Sequence, residues 1–299
     1  ALPQVRLRLG QGPPGRAALE RRPVSVPDLQ ESADFSPHLA LLRAEGFTSY
    51  LAVPIVAKGQ AMGLLELFYR NRHEPDRDSL AFLEMLAGQV AIAIDNTRML
   101  ESLQASRLEL SVAYDATIEG WVQALDLRDK ETEGHTLRVT EMTLDLARAL
   151  GVREEELPHI RRGALLHDIG KMAIPDAILR KPGPLTDEEW DLMRRHPVFA
   201  YELLSPIAYL RPALTIPYCH HEKWDGTGYP RGLNGEEIPL PARIFAVVDV
   251  YDALTSDRPY RPAWPREKAL AYIRDQAGKH FDPRVVRAFL ELVDKAGGG

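Results

Sequence analysis

The sequence predicts a two-domain protein, with an α/β domain over residues 1–97, a connector helix over 98–125 and an all-α domain over 126–299. A length of 299 residues is typical of two domains. Runs of β-forming residues end near residue 70, and beyond about residue 115 the apolar residues follow helical spacing throughout. One uninterrupted helical pattern lies between these regions, and it predicts the connector.

The α/β domain has three regions of predicted strand. VRLRL (5–9) alternates apolar and charged residues, and RPVSVPD (22–28) is a short strand that Pro27 ends. TSYLAVPIVAKGQAMGLLELFYR (48–70) contains two β-rich runs on either side of KGQ, which predicts a hairpin.

The segment GQGPPG (10–15) has the glycine spacing of a dinucleotide-binding loop. Its chemistry does not fit that function, because Pro13 and Pro14 have no backbone N–H to donate to a pyrophosphate. The helix after it is also too short for the crossover of a βαβ unit. We therefore predict a turn here.

A helix is predicted to begin in the Asp-rich segment at residue 76 and to continue past residue 103. Apolar residues form an imperfect seam along it, at Leu83, Leu86, Val90, Ile94, Leu100, Leu103 and Leu110. The helix could pack only on its own sheet, or it could pair with a second copy and carry a signal. The second interpretation is favoured because the helix is longer than its sheet requires, and it predicts a homodimer.

Helical spacing continues to the end of the chain. It predicts helices at 114–128, 135–150, 154–170, 186–204, 209–223, 240–255, 265–277 and 283–295. This part carries the whole formal charge of −6, because the first 100 residues are balanced. An acidic domain does not fit generic nucleic-acid binding. If this domain binds a phosphate compound, the positive charge at the site must come from metal ions or from a few arginines placed there.

The composition also predicts the cellular compartment of the protein. A single cysteine excludes an intrachain disulfide framework and predicts a reducing cytoplasm. No run approaches the roughly 18 apolar residues of a membrane helix, and no secretory leader opens the sequence. The first residue is Ala, so the natural N-terminus is expected to lie upstream.

The adjacent histidines His220 and His221 are the first indication of a metal site. Neighbouring residues on a helix point about 100° apart, so this pair is expected to straddle two ions rather than to bind one. LLHDIGK adds His167 and Asp168, and the two oxygens of an aspartate can bridge two metals. Lys171 follows three residues later, on the same helix face as Asp168.

Further candidate ligands lie in three other helical segments. Glu131 and His135 are spaced i, i+4, and Asp249 and Asp252 are spaced i, i+3 in an apolar helix. A bare carboxylate there would be costly, so it is expected to bind a cation. His196 lies in RRHPV, immediately before a proline.

Each of these signals is weak alone, and their combination predicts a centre of two or three ions. Five histidines and three carboxylates exceed the needs of one ion: Glu131, His135, His167, Asp168, His196, His220, His221 and Asp249. Mixed imidazole and carboxylate ligands suit Fe, Mn, Zn or Ni rather than Ca or Mg.

Such a centre is suited to phosphate-ester cleavage, with a metal-bridging hydroxide attacking phosphorus. Lys171 is expected to neutralise the phosphate or to act as an acid. Tyr229, in the loop GTGYP, would lie against a base or shape the pocket. Arg258 and Arg261 offer planar donors for phosphate or a guanine edge, and surface salt bridges are the alternative for them.

LLHDIGK, HHEKWDGTGYPRGLNGEEIP and DVYDALTSDRPYR together resemble the HD-GYP family of HD phosphohydrolases, over about residues 126–293. The resemblance implies an all-α HD-type domain with two or three Fe or Mn ions. It also implies hydrolysis of cyclic di-GMP to pGpG or GMP, and in some members of 3′,3′-cyclic GMP-AMP.

Carried over by residue, the resemblance implies a metal-ligand set of His135, His167, Asp168, His196, His220, His221 and Asp249. Glu131 matches the extra ligand of members with a third ion. Lys171 matches a lysine near the substrate phosphate. Positions around the substrate are implied for Asp252, Arg258, Arg261 and the loop Gly228, Tyr229 and Pro230, and this loop also contacts protein partners in some members.

The first domain resembles a GAF sensor domain, because GFTSYLAVPIVAKGQAMGLLELFYR is typical of its later strands. The match lacks the first helix and strands of that fold, so an incomplete GAF-like domain is expected. The resemblance implies that this domain regulates the enzyme through the connector helix.

Two alternatives remain open at the level of sequence. One is a hydrolase of another nucleotide, such as 3′,3′-cGAMP, ppGpp or a dNTP, although the GTGYP loop does not favour a plain HD enzyme. The other is a non-catalytic module that binds cyclic di-GMP or docks a partner. The complete set of ligands argues against it, and bound metal would distinguish the two.

Overall fold

A computed structural model describes residues 8–31, 37–129, 134–257 and 262–296, with only the backbone described at 37–39 and 296. The chain divides into two compact units, Ala1–Leu110 and Ser111–Gly299. Within the described part of the chain, no helix is both long and apolar enough to cross a bilayer.

The first unit is a small α/β arrangement. Its elements are α1 (Gly12–Glu20), β1 (Val24–Val26), α2 (Pro37–Ala44), β2 (Ser49–Ala57), β3 (Gln60–Tyr69) and the start of α3 (Arg77–Asp129). The strands form an antiparallel sheet in the order β1-β2-β3. The predicted hairpin is confirmed, and Lys58 and Gly59 at its turn both have positive φ, as a tight turn between twisted strands requires.

Side chains of β2 alternate between the two faces of the sheet. Leu51, Val53 and Ile55 pack with Ala87 and Ala91 of α3 on one face. On the other face, Tyr50 and Ala52 belong to a second buried cluster with side chains from α1 and α2. Burial of both faces explains why β2 is apolar along most of its length.

The predicted strand at 5–9 is wrong in its described part, because Arg8 and Leu9 do not lie in a strand. The chain turns at residues 9–11, and Pro13 and Pro14 occupy the first turn of α1. Proline is compatible with that position because the first N–H groups of a helix have no partner within the helix.

The second unit is helical. After the end of α3 it contains α4 (His135–Ala149), α5 (Leu157–Leu165), α6 (Asp176–Leu179), α7 (Asp187–Met193), α8 (His196–Leu204), α9 (Thr215–Cys219), α10 (Leu240–Thr255), α11 (Arg266–Asp275) and α12 (Pro283–Ala296). Short 3₁₀ helices span Ile169–Ala173, Ala208–Ala213 and Gly235–Glu237. Helix α10 is central, and Ile244, Phe245, Val247 and Val248 are fully buried among α4, α5, α11 and α12.

Three predicted helices are shorter or divided in the structure. The one at 186–204 forms α7 and α8, because Pro197 cannot donate the backbone hydrogen bond that would continue a helix through it. The helix at 154–170 ends at Leu165, before His167 and Asp168. The helix at 209–223 is replaced by a 3₁₀ helix and the short α9.

Candidate metal centre

Seven of the eight predicted metal ligands lie in the described part of the chain. They are His135 at the start of α4, His167 and Asp168 after α5, His196 at the start of α8, His220 and His221 after α9, and Asp249 on α10. Apart from Asp249, each lies within two residues of a helix end. The candidate ligands are therefore brought together at the ends of several helices, and not along the face of one helix.

The ligand atoms form two groups, and within each group they lie no more than 4.8 Å apart. The first group contains four residues, Asp168, His196, His220 and His221. The second group contains three residues, His135, His167 and Asp249. Each group offers enough nitrogen and oxygen donors to hold one ion.

The carboxylate of Asp168 faces both groups. Its Oδ1 lies 3.2 Å from Nε2 of His196 and 3.8 Å from Nε2 of His220. Its Oδ2 lies 3.1 Å from Nε2 of His167, which belongs to the other group. The two oxygens are thus placed so that one carboxylate can contact two ions.

Backbone hydrogen bonds orient three of the imidazoles. Nδ1 of His167, His196 and His220 lies 2.8 to 3.1 Å from a carbonyl oxygen three or four residues earlier. When Nδ1–H donates to that oxygen, Nε2 keeps its lone pair and faces the ligand group. The backbone therefore selects the tautomer that binds metal.

The expectation that His220 and His221 straddle two ions is wrong, because both belong to the first group. Their ring centroids lie 4.0 Å apart. His220 caps α9 and still has helical dihedral angles, so the rotation of about 100° between neighbours is not enough to direct the two rings to separate groups. The turn after α9 points both rings to the same side.

At three of the candidate ligands, His220, His221 and Asp168, the electrostatics favour the protonation state that binds metal. Burial and a neighbouring imidazole lower the pKa of His220 to about 3, and the same causes lower the pKa of His221. Burial alone would raise the pKa of Asp168, but Lys171 and His167 hold it well below its usual range. Neutral imidazoles and an ionised carboxylate are the forms that bind metal ions.

Lys171 lies beside the carboxylate of Asp168, on the 3₁₀ helix that follows it. Its Nζ is 2.7 Å from Oδ2 of Asp168. The same Nζ is 2.7 Å from Oδ2 of Asp129, the last residue of α3. The spacing i, i+3 brings Lys171 to Asp168, and the tertiary structure adds Asp129.

Asp252 lies behind His135, on the side away from the other ligands. Its Oδ2 is 2.7 Å from Nδ1 of His135, and Nε2 of the same ring is 3.4 Å from Oδ1 of Asp249. Arg138 donates from Nε to Oδ1 of Asp252 at 2.9 Å. The buried carboxylate, held by Arg138, therefore fixes the orientation of His135.

Replacing Asp252 with Asn is expected to weaken metal binding by about 10–100-fold, because carboxylates that orient a ligand histidine commonly contribute this much to affinity. Metal-free protein, titrated with Mn²⁺ against a competing chelator, measures the effect. Asp275→Asn makes the same change at an exposed position on α11 and is expected to leave affinity unchanged. Equal affinity of the two variants would show that His135 needs no such partner.

The loop Gly226–Pro230 lies next to the first group of ligands. The ring of Tyr229 lies 4.8 Å from that of His221, and its backbone N–H donates to the His221 carbonyl. The peptide bond from Tyr229 to Pro230 is cis. A Cβ at Gly228 would lie 2.3 Å from the backbone nitrogen of Lys223, so only glycine fits there.

The buried carboxylate of Glu222 secures the chain just after this loop. Oε1 accepts a hydrogen bond from the backbone N–H of Arg231 at 2.8 Å, and Oε2 accepts one from that of Leu233 at 2.9 Å. Because Glu222 follows His221 directly, the same turn fixes a metal ligand and the loop.

Three of the predicted site residues, Glu131, Arg258 and Arg261, lie outside the described residues. Three other residues with contacts at the site were missed by the sequence analysis: Asp129, Arg138 and Glu222. Arg138 lies three residues after His135, and Glu222 directly follows the histidine pair, so local spacing could have suggested both. No local signal connects Asp129 to Lys171.

Comparison with known proteins gives two family matches. The HD domain family matches residues 99–285, and the GAF domain family matches residues 1–95. The first match spans more than half of the chain and includes all seven described ligands.

Individual relatives each match part of the chain. A cyclic di-GMP phosphodiesterase response regulator, RpfG, of Xanthomonas campestris is 46% identical over 64% of this chain and 51% of its own length. A cyclic di-GMP phosphodiesterase of Vibrio cholerae is 42% identical over 68% of this chain and 44% of its own. A 3'3'-cGAMP-specific phosphodiesterase 2 of V. cholerae is 36% identical over 76% and 42%. The chain thus spans about half the length of these relatives.

Proposed function

Because the chain belongs to the HD domain family, we propose that it is a metal-dependent phosphodiesterase that hydrolyses cyclic di-GMP. The carboxylate of Asp168 carries this proposal, since its two oxygens face two separate groups of metal ligands. Two adjacent ions suit in-line cleavage of a phosphate ester. Two relatives named for cyclic di-GMP support the choice of substrate.

Each ligand group would hold one ion, and Asp168 would contribute an oxygen to each. Five imidazoles with two aspartates fit Fe or Mn, with Zn and Ni as further candidates, because hard oxygen-only ligands would be expected for Ca or Mg. Glu131 is assigned to a third ion, which gives a centre of two or three ions.

When bound, the ions supply a nucleophile at neutral pH and positive charge for the phosphate oxygens. Asp168 and the oriented histidines set the geometry in which the phosphate is held. Lys171, next to Asp168, adds positive charge at the phosphate or donates a proton to the leaving oxygen. Asp252 is assigned to orienting His135 instead of contacting substrate directly.

Substrate recognition is assigned to the loop and to two arginines. Tyr229 lies next to His221, so its ring can shape a pocket beside the ions, while Gly228 and Pro230 fix the path of the loop. Arg258 and Arg261 are assigned to the phosphates or a guanine edge. The products are pGpG, GMP or both, and the same loop is the proposed docking site for a protein partner.

We place the chain in the HD-GYP subgroup, in the cytoplasm, with the GAF domain as regulator and α3 as connector. Helix α3 also carries the proposed homodimer contact. Four of its leucines are between 40% and 65% exposed, at Leu86, Leu100, Leu103 and Leu110. Pairing with a second copy would remove this apolar surface from water.

The experiment that tests this function is metal analysis and a cyclic di-GMP turnover assay on one sample purified without oxygen. The expected result is two or three Fe or Mn per chain, with release of pGpG or GMP. The molar mass of the same sample, measured by light scattering, tests the dimer.

Metal binding without turnover of cyclic di-GMP would argue against this substrate. The 3'3'-cGAMP-specific relative makes 3′,3′-cGAMP the second candidate, to be assayed in parallel. A sample that binds cyclic di-GMP but contains no metal and hydrolyses neither compound would contradict the enzymatic proposal and favour a binding module.

A further inference from the structure

Two carboxylates share the ammonium group of Lys171. Its Nζ lies 2.7 Å from Oδ2 of Asp168 and 2.7 Å from Oδ2 of Asp129. All three side chains are largely buried, with 10% to 13% of each exposed. Asp168 belongs to the groups of metal ligands, and Asp129 does not. The function of Asp129 is therefore not explained by metal binding.

Asp129 is the last residue of α3, and hydrogen bonds fasten this helix end to the chain that carries Lys171. The guanidinium group of Arg128 donates to the carbonyl oxygens of Met172 at 2.6 Å and Ile174 at 2.7 Å. These acceptors lie one and three residues after Lys171. These hydrogen bonds tie the end of α3, which carries Asp129, to the backbone just after Lys171. They thereby fix the position of the Asp129 carboxylate relative to the lysine.

We propose that Asp129 is a positioning residue of the phosphodiesterase reaction, which holds the ammonium group of Lys171 in place beside the metal centre. The inference rests on the proposed function, because it gives Lys171 a role at the substrate phosphate. Asp129 itself acts only through the lysine.

The charges explain why a second carboxylate is needed. Attraction between opposite charges is strong in a buried site, and Nζ lies at hydrogen-bonding distance from Asp168, so without Asp129 the position of the ammonium would depend on this metal ligand. The ammonium would then compete with metal for Oδ2, the oxygen that also faces His167. The Oδ2 atom of Asp129 lies at the same 2.7 Å from Nζ as Oδ2 of Asp168, so it offsets the attraction to Asp168. The ammonium is then held beside the metal centre, where the substrate phosphate would bind.

The substitution Asp129→Asn keeps the shape of the side chain and removes its charge. We expect kcat to fall about 10–100-fold, as for residues that support a direct participant, with KM and metal content unchanged. Asp129→Glu, which restores the charge, is expected to recover part of the activity. Glu119→Gln is the matched control on the same helix, since its carboxylate pairs with Arg161 at a partly exposed site. Its turnover should equal that of the wild type.

A double-substitution cycle with Lys171→Met tests whether Asp129 acts through the lysine. We expect Asp129→Asn to cause no further loss of kcat in the Lys171→Met protein. The melting temperature of the metal-free proteins should show the same non-additivity, and this readout does not depend on activity.

Three results would overturn the inference: full activity of Asp129→Asn, losses that add independently to those of Lys171→Met, or a loss of metal that accounts for the loss of turnover. Failure of the proposed function looks different, because the wild-type protein would then leave cyclic di-GMP intact, with or without bound metal. If the wild-type protein hydrolyses cyclic di-GMP and Asp129→Asn is equally active, only the role of Asp129 is refuted.

Discussion

Replacing Asp168 with Asn is expected to reduce turnover by at least about 10³-fold and to prevent the two ions from binding together. Metal ions contribute several kcal/mol to stabilising charge in the transition state, and each 1.4 kcal/mol or so corresponds to a factor of ten in rate. An amide offers a single oxygen in place of the two that face His196 and His167. It therefore cannot bridge both ligand groups.

The metal-free fold is expected to survive this change, because Lys171 keeps its ion pair with Asp129. Metal content, turnover and the melting temperature of the metal-free protein separate the two effects. Asp191→Asn is the control, since it removes an exposed carboxylate on α7, five residues before the ligand His196. Two tightly bound ions in Asp168→Asn would contradict the bridging role.

Gly170→Ala is expected to destabilise the metal-free protein by about 3 kcal/mol or more and to lower its metal content. A Cβ at this position would lie 1.9 Å from the carbonyl oxygen of His196 and 2.7 Å from the backbone nitrogen of Ala200. Because both neighbours are backbone atoms of α8, the clash cannot be relieved by a side-chain rotation. Overpacking of a core typically costs about 1–3 kcal/mol and occasionally more, and a contact of 1.9 Å with backbone places this substitution at the upper end or beyond.

Separation of α8 from the 3₁₀ helix would also move His196 away from Asp168, whose Oδ1 is now 3.2 Å from Nε2 of that histidine. Urea unfolding of the metal-free protein gives the change in stability, and metal analysis gives the change at the site. The control Gly120→Ala lies on α3, where the added Cβ has no atom within 4 Å apart from its chain neighbours and the adjacent backbone of its own helix. It is expected to stabilise the helix by up to about 1 kcal/mol. Equal unfolding midpoints for both variants would show that α8 does not need this close approach.

Local sequence patterns were sufficient to predict much of the secondary structure. The hairpin around Lys58 and Gly59 follows from two β-rich runs on either side of a short turn. Helix α10 begins and ends at the predicted residues because its apolar sequence is uninterrupted. The division of 186–204 was missed because helical periodicity was weighed more heavily than the effect of Pro197 on hydrogen bonding.

For the centre, the sequence by itself determined the types of candidate ligand and the neighbours at short spacing. Lys171 lies beside Asp168 because residues three apart share a helix face. Only the tertiary structure decided that His220 and His221 belong to one ligand group and that Asp129 holds Lys171. It also decided that Asp252 orients His135.

The physical reason is the distance along the chain. Asp129 and Lys171 are 42 residues apart, and His135 and Asp252 are 117 residues apart, so no periodicity relates the members of either pair. Their contacts depend on how helices pack and where each one ends. Residue chemistry therefore predicts which side chains can bind metal, whereas packing determines which of them meet and what holds them in place.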